Sequence, residues 1–262
     1  MDFSLKRING ENMQYSDSEV ESDIQLIFTP GGFNTDLWKH QLRYFSKKYR
    51  TICFRPTESN RDFEGERRCL ESILDKEDVE EAVLVSNGFG NSIVRDMSSH
   101  ESVQTTVMTG FRPDMPGKNF YNIFSFMAKR KPKLLRKTLF SQYTDYRVLK
   151  DFVEELEVPY YETISSFAEK DMVSGDELSL IIHAEEDRFS SIEDARKLNA
   201  RLSVIERAGT FCFYEKPQEY NKALSDFLEI VAEKVREQKI KQSAEENRSL
   251  IEFEDRKVKA TE

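Results

Sequence analysis

Residues Glu81–Met97 read EAVLVSNGFGNSIVRDM. Ala82–Ser86 is an apolar, Val-rich run, the pattern of a strand buried on both faces. Asn87-Gly88-Phe89-Gly90 is a tight turn. From Asn91 the apolar spacing becomes helical, with Ile93 and Met97 four residues apart. Strand, Gly-dense turn and helix together form the device that lifts one side chain into an exposed, strained apex where it can act as a nucleophile. The residue at this apex is Gly88, which carries no side chain. The glycines also resemble part of a dinucleotide fingerprint, but Ile93 stands where its third Gly belongs.

Working outward toward the N-terminus, Phe63–Leu74 has Cys69, Leu70, Ile73 and Leu74 on one helical face, and Thr51–Phe54 reads as a short strand. Arg55–Asp62 between them is a polar loop. Ile24–Thr29 is a near-continuous apolar run, hence a buried strand, ending in the turn Pro30-Gly31-Gly32-Phe33. Asp36 is placed to cap a helix through Trp38, Leu42 and Phe45. At the start of the chain, Phe3–Ile8 and Glu11–Tyr15 flank Asn9-Gly10, a hairpin signal.

Toward the C-terminus, Gln104–Thr109 is a strand. Residues 110–177 hold no convincing buried strand, and helices are expected near Tyr146–Leu156 and Tyr160–Lys170. Leu178–His183 restores the strand pattern. Ile192–Leu202 reads as a helix with Ala195, Leu198 and Leu202 inward, Ser203–Glu206 as a short strand, and Pro217–Ile230 as a closing helix. Strands alternating with helices imply an α/β architecture, with a mostly parallel sheet covered on both faces. The sequence divides into a core at 1–110, a helical cap at 111–177, the rest of the core at 178–232 and a charged extension at 233–262. That extension is either a solvated continuation of the closing helix or a disordered tail.

Composition narrows the function. The 262 residues carry a formal net charge of −9, with a pI near 5.2, which argues against nucleic-acid binding as the main role. No apolar run approaches the ~18 residues of a membrane span. MDFSLKRING lacks the apolar core of a secretory signal, so a cytoplasmic location is expected. Cys53, Cys69 and Cys212 form neither a CxxC pair nor a disulfide framework. Three scattered histidines, His40, His100 and His183, offer no metal-ligand spacing, so neither a metal nor another cofactor is expected.

In combination these landmarks resemble the α/β-hydrolase family over most of Phe3–Ile230. The residues that carry the resemblance are collinear: the Pro30-Gly31-Gly32 turn, the LVSNGFGNSIV elbow, LIIHAEEDRFSSIEDARKL and AGTFCFYEKPQEYNKALSDFLE. The resemblance implies an eight-strand sheet with an inserted cap and a triad in the order nucleophile, acid, His. Its acid position falls on Asp187 and is retained. Its nucleophile position falls on Gly88 and its His position on Thr210, which cannot act as a base near neutral pH. The same resemblance implies a backbone oxyanion hole from the N–H of Phe89 and one N–H of Gly31 or Gly32, with Phe33 beside them. At the apex alone, the chain also resembles the N-myc downstream-regulated proteins, a non-enzymatic group with this fold.

Three functional expectations follow. The first is a non-catalytic pseudo-hydrolase that binds a partner or a small apolar or carbonyl-containing ligand. The second is an enzyme with rebuilt chemistry, of hydrolase or lyase type, that uses Asp187 and the backbone hole. The third is an adaptor for an anionic surface or protein. It acts through Lys129, Arg130, Lys131, Lys133, Arg136 and Lys137, six cations in nine residues. Each has a plainer counterpart. Asp187 can cap the helix that begins near Ser191 or pair with Arg188, the cations can be the solvated face of a lid helix, and His183 and Cys212 can be buried packing. Ser86 and Ser92 lie off the apex and are poor substitutes for its nucleophile.

Overall fold

The computed structural model describes residues 4–57, 61–110, 138–157 and 178–259. β1 (Ser4–Ile8) and β2 (Glu11–Asp17) form the antiparallel hairpin expected around Asn9-Gly10. β2 also pairs antiparallel with β4 (Arg50–Pro56). The other strands run parallel: β3 (Gln25–Phe28), β5 (Ala82–Asn87), β6 (Val103–Thr109), β7 (Leu180–Ala184) and β8 (Arg201–Ile205). All belong to one eight-stranded sheet in the order β1-β2-β4-β3-β5-β6-β7-β8. Strands from 180 onward thus join strands from before 110, with the intervening segment inserted between β6 and β7.

The period of two along each strand builds two cores. Leu26, Phe28, Val83, Val85 and Val107 face α1 (Lys39–Phe45) and the final helix, α7 (Pro217–Lys259). Ile27, Ile52, Phe54, Leu84, Met108 and Ile181 face α2 (Phe63–Lys76) and α3 (Gly90–Asp96). Burial on both faces is why these strands read as unbroken apolar runs.

Several boundaries differ from the sequence expectation. Asp36 does not cap a helix: it lies inside a 3-10 turn, Thr35–Trp38, that leads into α1, and Asn34 precedes the turn without a side-chain cap bond. The helix expected over Ile192–Leu202 stops early as α5 (Ile192–Arg196), because Arg201–Ile205 is drawn into the sheet as β8, with Leu180 opposite Arg201 and Ala184 opposite Ile205. Arg55 and Pro56 belong to β4 and not to the following loop. Of the two expected cap helices, α4 (Tyr146–Glu155) is present, burying Leu149 and Phe152. The second, near Tyr160–Lys170, and the six cations at 129–137 lie outside the described residues. A short α6 (Cys212–Glu215) precedes α7. The charged extension is helical to Lys259. Val235 is buried, and residues 236–245 are all exposed.

Helix α2 matters most for the site and is firmly started. The Asp62 carboxylate accepts the Gly65 N–H at 2.8 Å, a side-chain N-cap. Asp62→Ala is expected to lower stability by about 1 kcal/mol, read as a shifted urea midpoint with an unchanged slope.

Candidate functional site

The elbow forms as the sequence specifies. β5 ends at Asn87, Gly88 takes φ +54°, and α3 begins at Gly90. The Gly88 N–H donates to the Thr109 carbonyl at 3.0 Å, which ties the apex to β6. A Cβ placed on Gly88 would meet nothing within 4 Å among the described residues. The nearby serines do not fill the missing role. Ser86 is fully buried and donates to Asn91 Oδ1 at 2.7 Å. The Ser92 hydroxyl turns back onto the Phe89 carbonyl at 2.8 Å. Asn91 in turn donates to the Thr109 carbonyl at 3.0 Å. Polar side chains therefore brace the elbow from below.

The Pro30-Gly31-Gly32 turn lies directly against the elbow. A Cβ on Gly31 would come within 2.4 Å of the Gly90 backbone nitrogen, so only glycine permits this approach. The turn is where the structure departs most from expectation. The Gly31 and Gly32 N–H groups, either of which could supply the expected oxyanion donor, both donate instead to the two oxygens of Glu66, at 2.7 and 3.0 Å. Glu66 is fully buried on α2. Burial pushes its carboxyl up to about 7, against the opposing pull of the two N–H donors. The next N–H, that of Phe33, donates to the Pro30 carbonyl at 3.1 Å. Of the proposed oxyanion donors, only the Phe89 N–H has no recorded partner among the described residues. Glu66 was overlooked in the sequence, although a signal existed: Phe63, Glu66, Leu70 and Ile73 share the spacing of the apolar face.

The acid and His positions do meet. Thr210 Oγ1 donates to Asp187 Oδ1 at 2.8 Å. The same oxygen accepts the N–H groups of Phe189 at 2.9 Å and Ser190 at 3.3 Å. Asp187 therefore caps its own turn, and α5, whose N-cap is Ser191, takes no side-chain cap from it. No ion pair among the described residues reaches Asp187. Asp187 Oδ2 accepts the Ser190 hydroxyl at 2.6 Å. Ser190 Oγ also lies 3.1 Å from His183 Nε2, while His183 Nδ1 donates to the Ala184 carbonyl at 2.8 Å. Asp, Ser and His are thus in contact, but the serine sits in the middle and the imidazole is anchored to backbone. This is the reverse of the order a triad needs. His183 is buried and satisfied, as its sequence context suggested.

The loop that carries Thr210 is locked from outside. Buried Glu215 accepts the N–H of Gly209 at 2.7 Å, the N–H of Ser141 at 3.0 Å and the Thr144 hydroxyl. Burial raises the Glu215 carboxyl above its ordinary range. Rings complete the surroundings. Phe33 stacks on Phe89 with centroids 6.0 Å apart and meets Phe211 edge-on at 6.1 Å. Phe211 packs in turn on Phe152 of α4 at 4.7 Å. Helix α4 is held to the body by Lys39, which pairs with Asp151 at 2.8 Å and Glu155 at 3.2 Å. Asn34 adds a bond to the Glu155 carbonyl at 2.7 Å.

Elsewhere the molecule offers less chemistry. Cys53, Cys69 and Cys212 are buried with their thiols raised by desolvation, which makes them inert. Among the described residues no group of three His, Cys, Asp or Glu is placed to hold a metal, and no helix is long and apolar enough to cross a membrane. A cavity of about 750 Å³ lies at the opposite end of the sheet, where Ile24 and Tyr49 precede β3 and β4 and Glu229 and Arg236 approach from α7. An Arg236–Asp23 ion pair of 2.8 Å joins its walls.

No protein-family model and no curated protein matches the chain. Solved structures do. A thermophilic esterase from Thermogutta terrifontis, with malate bound, superposes with a TM-score of 0.67 at 14% identity, covering 88% of this chain and 100% of its own. An enol-lactonase from Burkholderia xenovorans gives 0.68 at 14% identity, covering 86% of this chain and 99% of its own. A bromoperoxidase from Bacillus anthracis gives 0.66 at 15%, covering 87% of this chain and 100% of its own. The chain has the α/β-hydrolase fold, as the collinear motifs implied.

Proposed function

We propose that this protein uses the α/β-hydrolase scaffold for binding, without serine-hydrolase chemistry. The observation that carries the proposal is the Glu66 carboxylate seated on the Gly31 and Gly32 amides. A tetrahedral oxyanion needs preorganised donors, and losing one such donor typically lowers turnover by ~100-fold or more. Here two backbone donors are already satisfied by an internal carboxyl group. A negative oxygen brought to the same place would find both donors taken. Gly88 at the apex and Thr210 in contact with Asp187 point the same way, since neither supplies a nucleophile or a base near neutral pH.

The test is active-site labelling with a serine-directed fluorophosphonate, together with hydrolysis of p-nitrophenyl acetate and butyrate. The expected result is no stoichiometric adduct and rates at buffer background. An adduct at Ser190 would instead point to the Ser190–His183 contact as a working pair and would sink the proposal. So would stoichiometric labelling of any other serine.

A further inference from the structure

Ile24 and Tyr49 immediately precede β3 and β4, and with α7 they enclose the cavity of about 750 Å³ at the far end of the sheet from the elbow. That volume is in the range of small-molecule sites, ~300–1,000 Å³. One wall is the loop that leads into β3, with Glu21 and Asp23. The other is α7, on which Glu229, Ala232, Arg236 and Lys239 share one face at spacings of three, four and three residues. Ile24, Tyr49 and Ala232 are buried and form an apolar floor. The charges around it are of both signs: Glu21, Asp23 and Glu229 against Lys48, Arg236 and Lys239.

The way these charges pair leaves both signs available. Arg236 is taken by Asp23 at 2.8 Å, and Lys239 lies 3.9 and 4.0 Å from Glu80 and Glu81. Glu21, Glu229 and Lys48 form no ion pair and no hydrogen bond among the described residues. All three are exposed, so a ligand can reach them. Lys48 Nζ lies 5.2 Å from the centre of the Tyr49 ring, which sets one positive charge over the apolar floor. The two unpaired carboxylates stand on different walls, Glu21 on the loop and Glu229 on the helix. A partly enclosed site with an apolar floor focuses such charges more strongly than open surface does. A simple anion here meets two unpaired carboxylates, and a simple cation meets Lys48. A molecule with one charge of each sign finds a partner for both.

We infer that this cavity binds a zwitterionic amino acid with an apolar side chain. The ammonium pairs with Glu21 and Glu229, the carboxylate pairs with Lys48, and the apolar side chain lies on Ile24, Tyr49 and Ala232. The site is separate from the elbow, and its occupancy does not depend on whether the elbow is catalytic.

The experiment is an NMR titration of the full chain near pH 7 with L-phenylalanine, and with phenethylamine and 3-phenylpropanoate, which lack the carboxylate and the ammonium respectively. Saturable binding of phenylalanine is expected, with each counterpart weaker by ~5-fold or more through the loss of one charge-assisted contact. Substitutions at the exposed charged positions, which the fold should tolerate, separate the partners. Lys48→Met should weaken phenylalanine and 3-phenylpropanoate by ~5-fold and not weaken phenethylamine. Glu21→Gln combined with Glu229→Gln should weaken phenylalanine and phenethylamine by ~5-fold and not weaken 3-phenylpropanoate. The absence of saturable phenylalanine binding overturns the inference. So does equal affinity for the three probes, or a set of substitutions that affects the two counterparts alike. Failure here leaves the fluorophosphonate result standing, and a serine adduct in that experiment leaves the preference among the three probes measurable.

Discussion

Gly31→Ala is expected to destabilise the protein by about 4 kcal/mol, whereas Gly88→Ala should lower its stability by only about 1 kcal/mol. Both glycines occupy the left-handed region, with φ +60° at Gly31 and +54° at Gly88. The intrinsic penalty for an alanine is therefore similar, ~1–2 kcal/mol. The difference lies in what surrounds them. A Cβ on Gly31 would strike backbone, at 2.4 Å from the Gly90 nitrogen and 2.8 Å from its Cα, and neither the turn nor the start of α3 can swing aside as a flexible side chain would. A Cβ on Gly88 meets nothing within 4 Å among the described residues. Urea denaturation of the two variants, read as midpoints at constant slope, measures the contrast. Equal losses would show that conformation alone sets the cost and that the close approach is unimportant. The prediction bears on function, because an apex that tolerates alanine also has room for a serine hydroxyl. Steric exclusion then cannot explain why Gly88 carries none.

The sequence disclosed the fold through local signals and missed what depends on distant partners. The run Ala82–Ser86 followed by Asn87-Gly88-Phe89-Gly90 specified β5 and its turn, because strand burial and turn chemistry are written in neighbouring residues. Asp187 and Thr210 were placed by motif order and do meet, at 2.8 Å. The expected helix over Ile192–Leu202 failed because Ala195, Leu198 and Leu202 have helical spacing, while pairing with β7 claims Arg201–Ile205 as a strand. Asp36 looked like a cap for the same local reason, but a 3-10 turn already begins at Thr35. Glu66 was missed because its partners lie 35 and 34 residues away. Only its position on the apolar face of α2 marks it, as a charge where a Leu would be ordinary.

Glu66 yields the other large effect, and its sign depends on pH. Glu66→Ala removes the acceptor of two buried N–H groups and leaves a cavity, so a loss of about 3 kcal/mol is expected near pH 6. Formate or acetate in the millimolar range should recover part of the lost melting temperature in this variant and not in the wild type, because a free carboxylate fits the vacated place on the Gly31 and Gly32 amides. Failure of any carboxylate to act would mean that the turn has collapsed, and that Glu66 is structural filling and not an occupant of an anion hole. The titration separates these further. The folded-state value of Glu66 stands at about 7 against an ordinary 4.5. Between those limits the folded protein holds a proton that the unfolded chain has lost. The stabilisation from this group is therefore complete below pH ~4.5 and fades as pH rises through ~7, about 3 kcal/mol in all. Glu66→Gln cannot titrate, so its stability should change less steeply than the wild type's over that interval. Gln also sets an NH2 against one of the two amide donors, which should make it less stable than wild type at pH 5 and bring the two closer by pH 8. If the two proteins instead run parallel from pH 5 to 8, Glu66 is not the proton-binding group beneath the glycine turn, and the anion that excludes a substrate oxyanion there would have to be sought elsewhere.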